Sequence, residues 1–455
     1  MLILDNKFKH LFIIRIQLFI KNTIMKNLYL LLLLILFNFT LEAQKLSKIE
    51  RKIVNIVEIN DGEAVLLLEN VVNINSGTLN MEGVREVGDL FSKEFEKIGF
   101  IPSWKDMPDE MGRAGHLFCE LNTGKVNGKK LLLIGHLDTV FEKDSPFQSF
   151  KREGTKIYGP GVDDMKGGDI IILYALKALY EAGALKNTQI IVAFTGDEEK
   201  AGEPIDISRK DLIDAAKRSD IALAFEGATG LNHATVARRS SGSWLLETKG
   251  VRAHSSGVFN ERVGAGSIFE MARILSEFYT KLPEQNLTFN PATVVGGTAV
   301  EFDTSQAKGT ASGKTNIVSQ KSIVAGDIRC LTEEQIESTV LKMKEIVANS
   351  LPKTSATISF KLKYPPMKPT PGNYSVLKVL DEISQDMGQG PVEAFDPSKR
   401  GAGDISFVAK YVDGLDGLGT MGGRSHTTKE YMDLTHFKDL TQRAALLIYR
   451  LINQK

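Results

Sequence analysis

Apolar positions between residues 45 and 226 follow two alternating patterns. Three short uninterrupted apolar runs, each bounded by turn residues, are typical of buried strands: 130–134, 189–195 and 220–225. Apolar residues spaced three and four apart predict helices over 83–98 and 168–182, the second ended by Gly183. Because strands and helices alternate, we predict an α/β fold with a mostly parallel central sheet covered by helices on both faces.

A compact α+β pattern replaces this alternation after about residue 234. Its predicted elements are strands at 243–249, within 315–329 and at 357–363, and helices at 264–282 and 332–349. The α/β pattern returns after Pro365-Pro366 and ends in an amphipathic helix over 435–452. A chain of 455 residues is long enough for two domains. We predict one interrupted domain and one inserted α+β domain, with hinges near 235 and 365: residues 44–234 with 366–455, and residues 235–365.

The first 43 residues have the pattern of a secretory signal peptide. Lys26 precedes the apolar run 28–37, and Ala43 follows as a small residue suited to cleavage. The alternative is a membrane anchor over 11–37, but three basic residues interrupt that stretch: Arg15, Lys21 and Lys26. We expect this segment to be removed, Met25 to be the true start, and the mature protein to be periplasmic or secreted without stable membrane insertion.

Charge and cysteine content narrow the classes of function. The chain has 56 Lys plus Arg and 56 Asp plus Glu, so no net field favours nucleic acid or an acidic membrane surface. Cys119 and Cys330 show neither zinc-ribbon nor CxxC spacing. We expect each cysteine to be a small buried side chain.

Charged side chains stand where the apolar runs end. His136 and Asp138 follow the first run, Glu198 and Glu199 follow the second, and Glu226 ends the third. A lone loop histidine or a pair of glutamates usually makes ordinary hydrogen bonds or faces solvent. Several such groups after buried strands are costly unless a metal or hydrogen bonds compensate them. Imidazole with carboxylate is a ligand set that zinc takes, so these strand ends indicate a zinc site.

Two further residues complete a predicted pair of metal sites. Asp164 lies in the glycine-rich segment 159–168, and His426 lies in a loop after an apolar stretch. A carboxylate has two oxygens and can therefore bridge two ions. The predicted ligand groups share this aspartate and leave each zinc an open position for water: His136, Asp164 and Glu226, and Asp164, Glu199 and His426. Co²⁺ and Mn²⁺ are the expected substitutes.

The remaining acidic groups have predicted roles beside the ions. We expect Asp138 to accept a hydrogen bond from the second ring nitrogen of His136, which would fix the tautomer. Glu198 is left free to act as the general base on water. For Asp163 the simpler explanation is a helix cap. A nucleotide-binding loop at 159–168 is disfavoured because two adjacent carboxylates would repel phosphates.

Five motifs in order carry a resemblance to a known family: GHLDTV, YGPGVDDMKGG, TGDEEKAG, FEG and RSHTTKEYMD. Over residues 45–455 the chain resembles the dinuclear zinc exopeptidase family of bacterial glutamate carboxypeptidase, aminoacylase, tripeptidase and succinyl-diaminopimelate desuccinylase. Glutamate carboxypeptidase is the member it resembles most. The resemblance implies the ligand and base roles given above, and an inserted domain that serves as a lid and in dimerisation.

The resemblance also implies roles for residues of the inserted domain. His254 matches a lid histidine that helps to polarise the substrate carbonyl, often in the partner's active site. Asn316 and Arg329 match positions that hold the substrate, and Arg329 would grip a carboxylate with two hydrogen bonds. The alternative for Arg329 is a structural ion pair with Asp327.

Three segments depart from the family pattern. Gly227 stands where the glutamate carboxypeptidases have proline, and Arg238-Arg239 matches no family position. Loop 397–404 stands where the relatives have a glycine-rich, threonine-containing segment. In this loop we expect Arg400 to add a second anion contact and Gly403 to lie at the substrate.

These observations predict an exported metallo-exopeptidase that cleaves an amide next to a free carboxylate. Its expected substrate is a small peptide or an N-acyl amino acid, and it is expected to form a homodimer through the lid and not to bind nucleic acid. An aminoacylase or dipeptidase of the same family is the alternative function. A catalytically inactive relative used for binding is the alternative from another class, disfavoured because every ligand and the base are present.

Overall fold

The computed structural model describes Lys21 and residues 46–454, so apart from Lys21 the predicted signal segment lies outside the described residues. The helices are α1 (Lys48–Val72), α2 (Met81–Lys97), α3 (Lys166–Ala182), α4 (Ile205–Ser208), α5 (Lys210–Ala216), α6 (Ser267–Lys281), α7 (Glu333–Ala348), α8 (Pro371–Asp386), α9 (Ile405–Val408) and α10 (Phe437–Asn453). Among the described residues, no helix has both the length and the apolar character needed to cross a membrane.

The strands are short in the α/β part of the chain and longer in the inserted part. They are β1 (Ile101–Lys105), β2 (His116–Asn122), β3 (Leu131–His136), β4 (Lys151–Glu153), β5 (Lys156–Tyr158), β6 (Gln189–Thr195), β7 (Ile221–Ala224), β8 (His233–Ala234), β9 (Ser241–Gly250), β10 (Thr288–Gly297), β11 (Ala299–Asp303), β12 (Lys308–Ser312), β13 (Lys321–Arg329), β14 (Thr354–Tyr364), β15 (Glu393–Ala394), β16 (Asp413–Leu415), β17 (Gly422–Gly423) and β18 (Tyr431–Asp433).

A six-stranded sheet in the order β1-β2-β6-β3-β7-β16 lies at the centre of the larger part of the molecule. Strands β6, β3, β7 and β16 are parallel neighbours, whereas β1 and β2 add an antiparallel edge. Only residues 106–115 join β1 to β2, fewer than a helical crossover between parallel strands requires. The predicted α/β class is confirmed, and the sheet is mixed.

Alternating side chains on the central strands supply two cores, one on each face of the sheet. Leu131 and Leu133 of β3 pack with residues of α1, α3 and α10, whereas Leu132 and Ile134 pack with residues of α5 and α9. This follows from the two-residue period of a strand, which sends successive side chains to opposite faces. Replacing a fully buried leucine such as Leu133 with alanine should lower the free energy of unfolding by about 2–5 kcal/mol. The central strands of the sheet are therefore held by close packing on both faces.

Local sequence determines where several helices begin. Ser47 and Glu50 form a reciprocal capping box at the start of α1, satisfying two backbone N–H groups. Thr370 caps α8, and Pro371 occupies the first turn, where its missing N–H costs nothing. Both cysteines are free and buried, as expected.

Residues 241–364, here called the inserted unit, contain a second sheet that is fully antiparallel, in the order β10-β13-β9-β14. Helices α6 and α7 pack against it. Trp244, Phe278 and Met343 lie in a core cluster of its own. The rest of the described chain is here called the main unit.

The two chain connections between the units run side by side. The N–H of Arg238 donates to the carbonyl of Met367 at 2.9 Å, and the N–H of Met367 donates back to Arg238 at 3.0 Å. This pair of backbone hydrogen bonds ties the connection that enters the inserted unit to the one that leaves it.

Candidate metal centre

The carboxyl ends of three parallel strands meet at one edge of the central sheet. Strand β3 lies between β6 and β7 and ends at His136. The segment after β6 carries Glu198 and Glu199, and Glu226 stands two residues beyond the end of β7. Parallel pairing in register therefore brings an imidazole and carboxylates from three chain segments to the same place.

Loop residues complete two groups of ligand-type side chains. Within each group the donor atoms lie within 4.8 Å of one another: His136, Asp164 and Glu226, and Asp164, Glu199 and His426. Nε2 of His136 lies 3.3 Å from Oδ1 of Asp164, and Nε2 of His426 lies 3.2 Å from its Oδ2. The other carboxylates stand at 3.9 Å for Glu226 and 3.1 Å for Glu199 from the histidine of their group. The structure brings together all five predicted ligands in the predicted groups, with one oxygen of the shared aspartate facing each histidine.

His136 is held by a backbone group and not by the carboxylate expected from the sequence. Its Nδ1 lies 3.0 Å from the backbone carbonyl of Asp138, whereas the nearer carboxylate oxygen of Asp138 is 3.5 Å away. A carbonyl can only accept, so Nδ1 carries the hydrogen and Nε2 faces the acidic groups. The tautomer of His136 is therefore fixed by Asp138 as predicted, but through its backbone carbonyl and not through its carboxylate.

The Asp138 carboxylate positions the segment that carries the two glutamates. It accepts the backbone N–H of Glu198 at 3.0 Å and that of Glu199 at 3.2 Å. The hydroxyl of Thr78 donates to it at 2.6 Å. Because Asp138 is fully buried, these three donors satisfy a charge that would otherwise be costly. Asp138 therefore fixes Glu198 and Glu199 relative to His136.

The centre concentrates negative charge. Burial, followed by the charge of Asp164, raises the pKa of Glu226 to about 7, and burial raises the pKa of Glu199. Hydrogen bonds to Asp164 and Glu199 raise the pKa of His426 to about 11. Burial opposes ionisation of Asp164, but hydrogen bonds from the two histidines outweigh it and lower the pKa of Asp164. In this arrangement protons and imidazolium balance charges that a divalent cation would balance directly.

The donor set and one orphaned atom fit a pair of metal ions. Oε1 of Glu199 is buried and has no hydrogen-bond partner within the described residues. His426 has φ of 63°, a left-handed backbone that is uncommon for a residue with a Cβ and clusters at functional sites. Two imidazoles and three carboxylates, one of them shared, give three protein ligands for each of two ions and suit zinc.

Asp163 does not cap the helix, contrary to the simpler explanation from the sequence. The cap position of α3 is Met165, without a side-chain cap hydrogen bond, and Asp163 accepts instead from the hydroxyl of Thr420 at 2.9 Å. Glu430, for which no role was predicted, accepts the backbone N–H groups of Asp163 and Asp164 at 3.0 and 3.2 Å. Glu430 thus fixes the backbone that carries the shared aspartate.

A network of buried ion pairs lies next to the segment that carries Glu198 and Glu199. This network was not predicted from the sequence. Arg209 pairs with Asp404 at 2.7 Å and with Asp197 at 2.5 Å, and all three side chains are almost completely buried. The hydroxyl of Thr195, the last residue of β6, donates to Asp404 at 2.5 Å. Burial, followed by the charge of Asp404, raises the pKa of Glu198 well above its usual value. The network therefore lies close enough to Glu198 to affect its charge.

Arg238 holds the backbone of the loop that contains Arg400 and Gly403. Its guanidinium pairs with buried Asp416 and donates to the carbonyls of Gly401 and Ala402 at 3.0 Å each. A Cβ on Gly403 would lie 3.2 Å from Cζ of Arg238, so Gly403 packs on this arginine instead of facing an open position. The substrate contact of Gly403 stays a prediction, and on its Cβ side the residue packs on Arg238.

Arg400 lies beside the ligand groups. Its Nη2 donates to the carbonyl of Gly227 at 3.1 Å, next to Glu226. Its Nε is buried and has no hydrogen-bond partner in the described part of the chain. Burial, followed by the charge of Arg238, lowers the pKa of Arg400, and an anion placed there would relieve both effects.

The predicted residues of the inserted unit lie on its surface. His254 and Asn316 are exposed and adjacent, with Ser255 N–H donating to the carbonyl of Asn316 at 2.9 Å. Nδ1 of His254 accepts from Ser256, and no hydrogen bond or ion pair among the described residues joins His254 to the ligand groups. Arg329 is half-buried and pairs with Asp327 at 3.3 Å, the alternative contact expected from the sequence. In the described part of the chain, His254 and Asn316 therefore make no hydrogen bond to the ligand groups, and Arg329 pairs with Asp327 beside loop 397–404.

This combination of strand ends, ligand groups and inserted unit defines a metal-dependent hydrolase. A family model described as Peptidase family M20/M25/M40 matches residues 132–450. The chain therefore belongs to this family and is a metallopeptidase. The resemblance deduced from the sequence motifs is confirmed.

Individual relatives agree with this assignment. The chain is 26% identical to Carboxypeptidase G2 of Pseudomonas sp. (strain RS-16) over 393 residues, which cover 84% of this chain and 87% of that protein. It is 32% identical over 149 residues to a probable succinyl-diaminopimelate desuccinylase of Staphylococcus epidermidis, covering 31% of this chain and 34% of that protein.

Solved structures show the same fold. Aminopeptidase PepT from Bacillus cereus superposes with a TM-score of 0.68 at 20% identity, covering 85% of this chain and 98% of that one. The Bacillus subtilis YXEP protein, described as a dinuclear metal binding peptidase of the M20 family, superposes with a TM-score of 0.61 at 14% identity, covering 88% and 100%.

Proposed function

We propose that this metallopeptidase is a carboxypeptidase, similar to glutamate carboxypeptidases, that hydrolyses the amide bond next to a free carboxylate. The observation that carries the proposal is the pair of ligand groups that share Asp164, with Glu198 beside them on the segment that supplies Glu199. The 26% sequence identity with Carboxypeptidase G2, which extends over 84% of this chain, supports the choice of a carboxypeptidase within the family.

We propose that the two ligand groups hold two zinc ions, with Co²⁺ or Mn²⁺ as substitutes. His136, Asp164 and Glu226 would hold one ion, and Asp164, Glu199 and His426 the other. When bound, the ions would polarise the scissile carbonyl and lower the pKa of nearby water. The main unit would keep the three carboxylates ionised, the two imidazoles neutral, and all five side chains in place.

Glu198 is the proposed general base. Asp138 holds its backbone, and its raised pKa makes it a stronger proton acceptor. Its carboxylate takes a proton from the water that attacks the amide carbonyl. The same proton then passes to the leaving amine as the carbon–nitrogen bond breaks, which leaves Glu198 ionised for the next turnover.

Arginines on both sides of loop 397–404 are the proposed grip on the substrate carboxylate. Arg400 offers its unpartnered Nε next to the ligand groups, and Arg329 lies against the same loop, with Nη1 3.6 Å from a Cβ placed on Gly401. Among the described residues, Arg329 makes a half-exposed ion pair with Asp327, which solvent screens, so a substrate carboxylate would compete with Asp327 for it. Asn316 of the same chain and His254 of a partner chain would complete the site.

We propose a homodimer in which His254 enters the partner's active site, because within one chain it lies exposed and apart from the ligand groups. We also propose export, on the strength of Lys26, the run 28–37 and Ala43. N-terminal sequencing of protein from the native cell should begin near Gln44. A mature chain that starts at Met1 or Met25 would contradict export by this signal.

A substrate panel separates the proposed function from its alternatives. Metal-loaded protein should release a C-terminal amino acid from peptides, and blocking the terminal carboxylate as an amide should abolish release. Faster turnover of simple N-acyl amino acids would favour an aminoacylase, and activity restricted to dipeptides would favour a dipeptidase. Absence of turnover with every substrate by protein that binds two metal ions would favour the inactive relative.

A further inference from the structure

The last residue of strand β14 contacts the segment that carries the proposed base. The hydroxyl of Tyr364 donates to the backbone carbonyl of Glu198 at 2.7 Å. Tyr364 belongs to the inserted unit, whereas Glu198 belongs to the main unit. One hydrogen bond therefore connects the two units at the position of the proposed base.

The Tyr364 hydroxyl lies between the Glu198 carbonyl, which can only accept, and Arg209. Nη2 of Arg209 lies 3.5 Å from the Tyr364 hydroxyl oxygen, and a guanidinium can only donate. The hydroxyl must therefore accept from Arg209 and give its own hydrogen to the Glu198 carbonyl. Burial raises the pKa of Tyr364, so the hydroxyl keeps its proton at any physiological pH.

Arg209 cannot move to follow the tyrosine. Its guanidinium is fully buried between Asp197 and Asp404, at 2.5 and 2.7 Å. The Tyr364 ring packs on Phe407, with centroids 4.9 Å apart. The side chain of Tyr364 thus contacts the main unit through its hydroxyl and its ring, while its backbone is the last residue of strand β14.

The contact stands where the inserted unit rejoins the main unit. Pro365-Pro366 follow directly, and Met367 makes the backbone hydrogen bonds that tie the two connections together. A second contact, between exposed Lys361 of β14 and Glu203 at 2.6 Å, reaches the same segment after β6. A change in the position of the inserted unit at this crossing would therefore reach the Glu198 segment through Tyr364.

We propose that Tyr364 is a positioning residue for the reaction. Its hydroxyl, anchored by Arg209, holds the Glu198 backbone at the orientation that the inserted unit imposes, so the base is aligned when that unit is in place. Arg209 and Asp404 act through Tyr364 and Thr195 and do not touch the substrate. This inference rests on the proposed role of Glu198.

The test is Tyr364→Phe, which removes the hydroxyl and keeps the ring on Phe407. Loss of one hydrogen bond should lower kcat by about threefold to tenfold and leave KM within about twofold. Metal content should match the unaltered protein, and the unfolding midpoint should fall only slightly, as expected for the loss of one hydrogen bond. Two exposed positions serve as controls, Tyr374→Phe and Lys361→Ala, and neither should lower kcat by more than about twofold.

A double-mutant cycle shows whether the effect passes through Glu198. In protein that already carries Glu198→Gln, adding Tyr364→Phe should change the residual turnover by less than about twofold, because the positioned carboxylate is gone. Independent, multiplicative losses would overturn the proposal, as would an unchanged kcat in Tyr364→Phe alone. If Glu198→Gln itself keeps full turnover, it is the proposed base that is wrong. If Tyr364→Phe lowers kcat only in protein that retains Glu198, the result supports both the positioning role of Tyr364 and the role of Glu198 as the base.

Discussion

The metal centre of the main unit and the surface of the inserted unit that carries His254 differ in how their residues are held. His136 is buried, with a side chain only 1% exposed, and each of its ring nitrogens has a defined neighbour. His254 is exposed, and among the described residues its ring hydrogen-bonds with Ser256, two residues away. One histidine is fixed by three chain segments, and the other by its own loop.

This difference shows which parts of an active site a single chain can complete. Ligands at the ends of packed parallel strands are positioned by the fold itself, since the strands cannot shift without breaking two cores. His254 lies exposed on the inserted unit, and we propose that it reaches a substrate in the site of a second chain. The comparison predicts large, local effects at the metal centre and effects that depend on assembly at the inserted unit.

The largest effect is expected at the proposed base. Glu198→Gln keeps the shape of the side chain but cannot accept a proton, so turnover should fall by about 10²–10⁴-fold while both metals remain bound. Glu199→Gln is the matched control on the neighbouring residue and should instead lose metal. Kinetic assays with elemental analysis on the same samples check both. Equal metal content in the two variants would show that base and ligand are wrongly divided.

Complementation tests whether His254 serves the partner's site. His254→Ala and Glu198→Gln should each be inactive alone. In a mixed dimer one site would contain the intact Glu198 of one chain and the intact His254 of the other. At equal mixing, activity should recover to about one quarter of the unaltered level, since half the dimers are mixed and each has one complete site.

The control for this experiment is the dimer itself. Differently tagged chains, purified together, show whether mixed dimers form. Mixed dimers without recovered activity would place His254 in its own chain's site or outside catalysis. A protein that stays monomeric and active would contradict the proposed dimer.

Two arginines extend the comparison to stability. Arg238 pairs with fully buried Asp416, so Arg238→Met leaves an uncompensated charge and should lower the free energy of unfolding by about 3–5 kcal/mol. Arg329 pairs with half-exposed Asp327, so Arg329→Met should cost less than about 1 kcal/mol and instead raise KM. Urea unfolding of both variants checks the difference. Equal losses of stability in the two variants would mean that the ion pair of Arg329 with Asp327 is structural and that Arg329 is not available to bind substrate.

A smaller effect is expected from the pH dependence of the inserted unit. Burial alone would raise the pKa of Glu270, but Arg273 and the backbone N–H of Leu351 outweigh it and lower that pKa. A folded-state pKa below the unfolded value gives stability that is present above the ordinary value of 4.5 and lost as the pH falls through the folded one. Thermal unfolding on acidification should therefore change less in Glu270→Gln than in the unaltered protein. An identical acid dependence in both would contradict this role of Glu270.

The fold was predictable wherever one local pattern decides an element. Strand β6 has the predicted bounds, 189–195, because an apolar run between turn residues has few alternatives. The antiparallel edge β1-β2 was not predicted, because its orientation depends on a short connection and not on a sequence period. Helix α1 was also missed, although Ser47 and Glu50 carry a capping signal that locates its start.

The ligand groups were predictable because each member follows an apolar run or a recognisable loop. The supporting residues were not, because their partners are far away along the chain. Arg238 and Asp416 are 178 residues apart, and Arg209 and Asp404 are 195 apart. An isolated arginine carries no sign of its partner. The Arg238-Arg239 pair was visible in the sequence, but only the fold shows that the first of the two holds loop 397–404.

The most direct test of the account is the number of metal ions bound by single histidine variants. The unaltered protein should bind close to two zinc ions per chain, and His136→Ala and His426→Ala should each bind at most one, since each removes a ligand from a different group. Elemental analysis after dialysis against metal-free buffer gives these numbers, with His436→Ala as a control outside both groups. Two ions retained in both His136→Ala and His426→Ala would contradict the dinuclear centre assigned here.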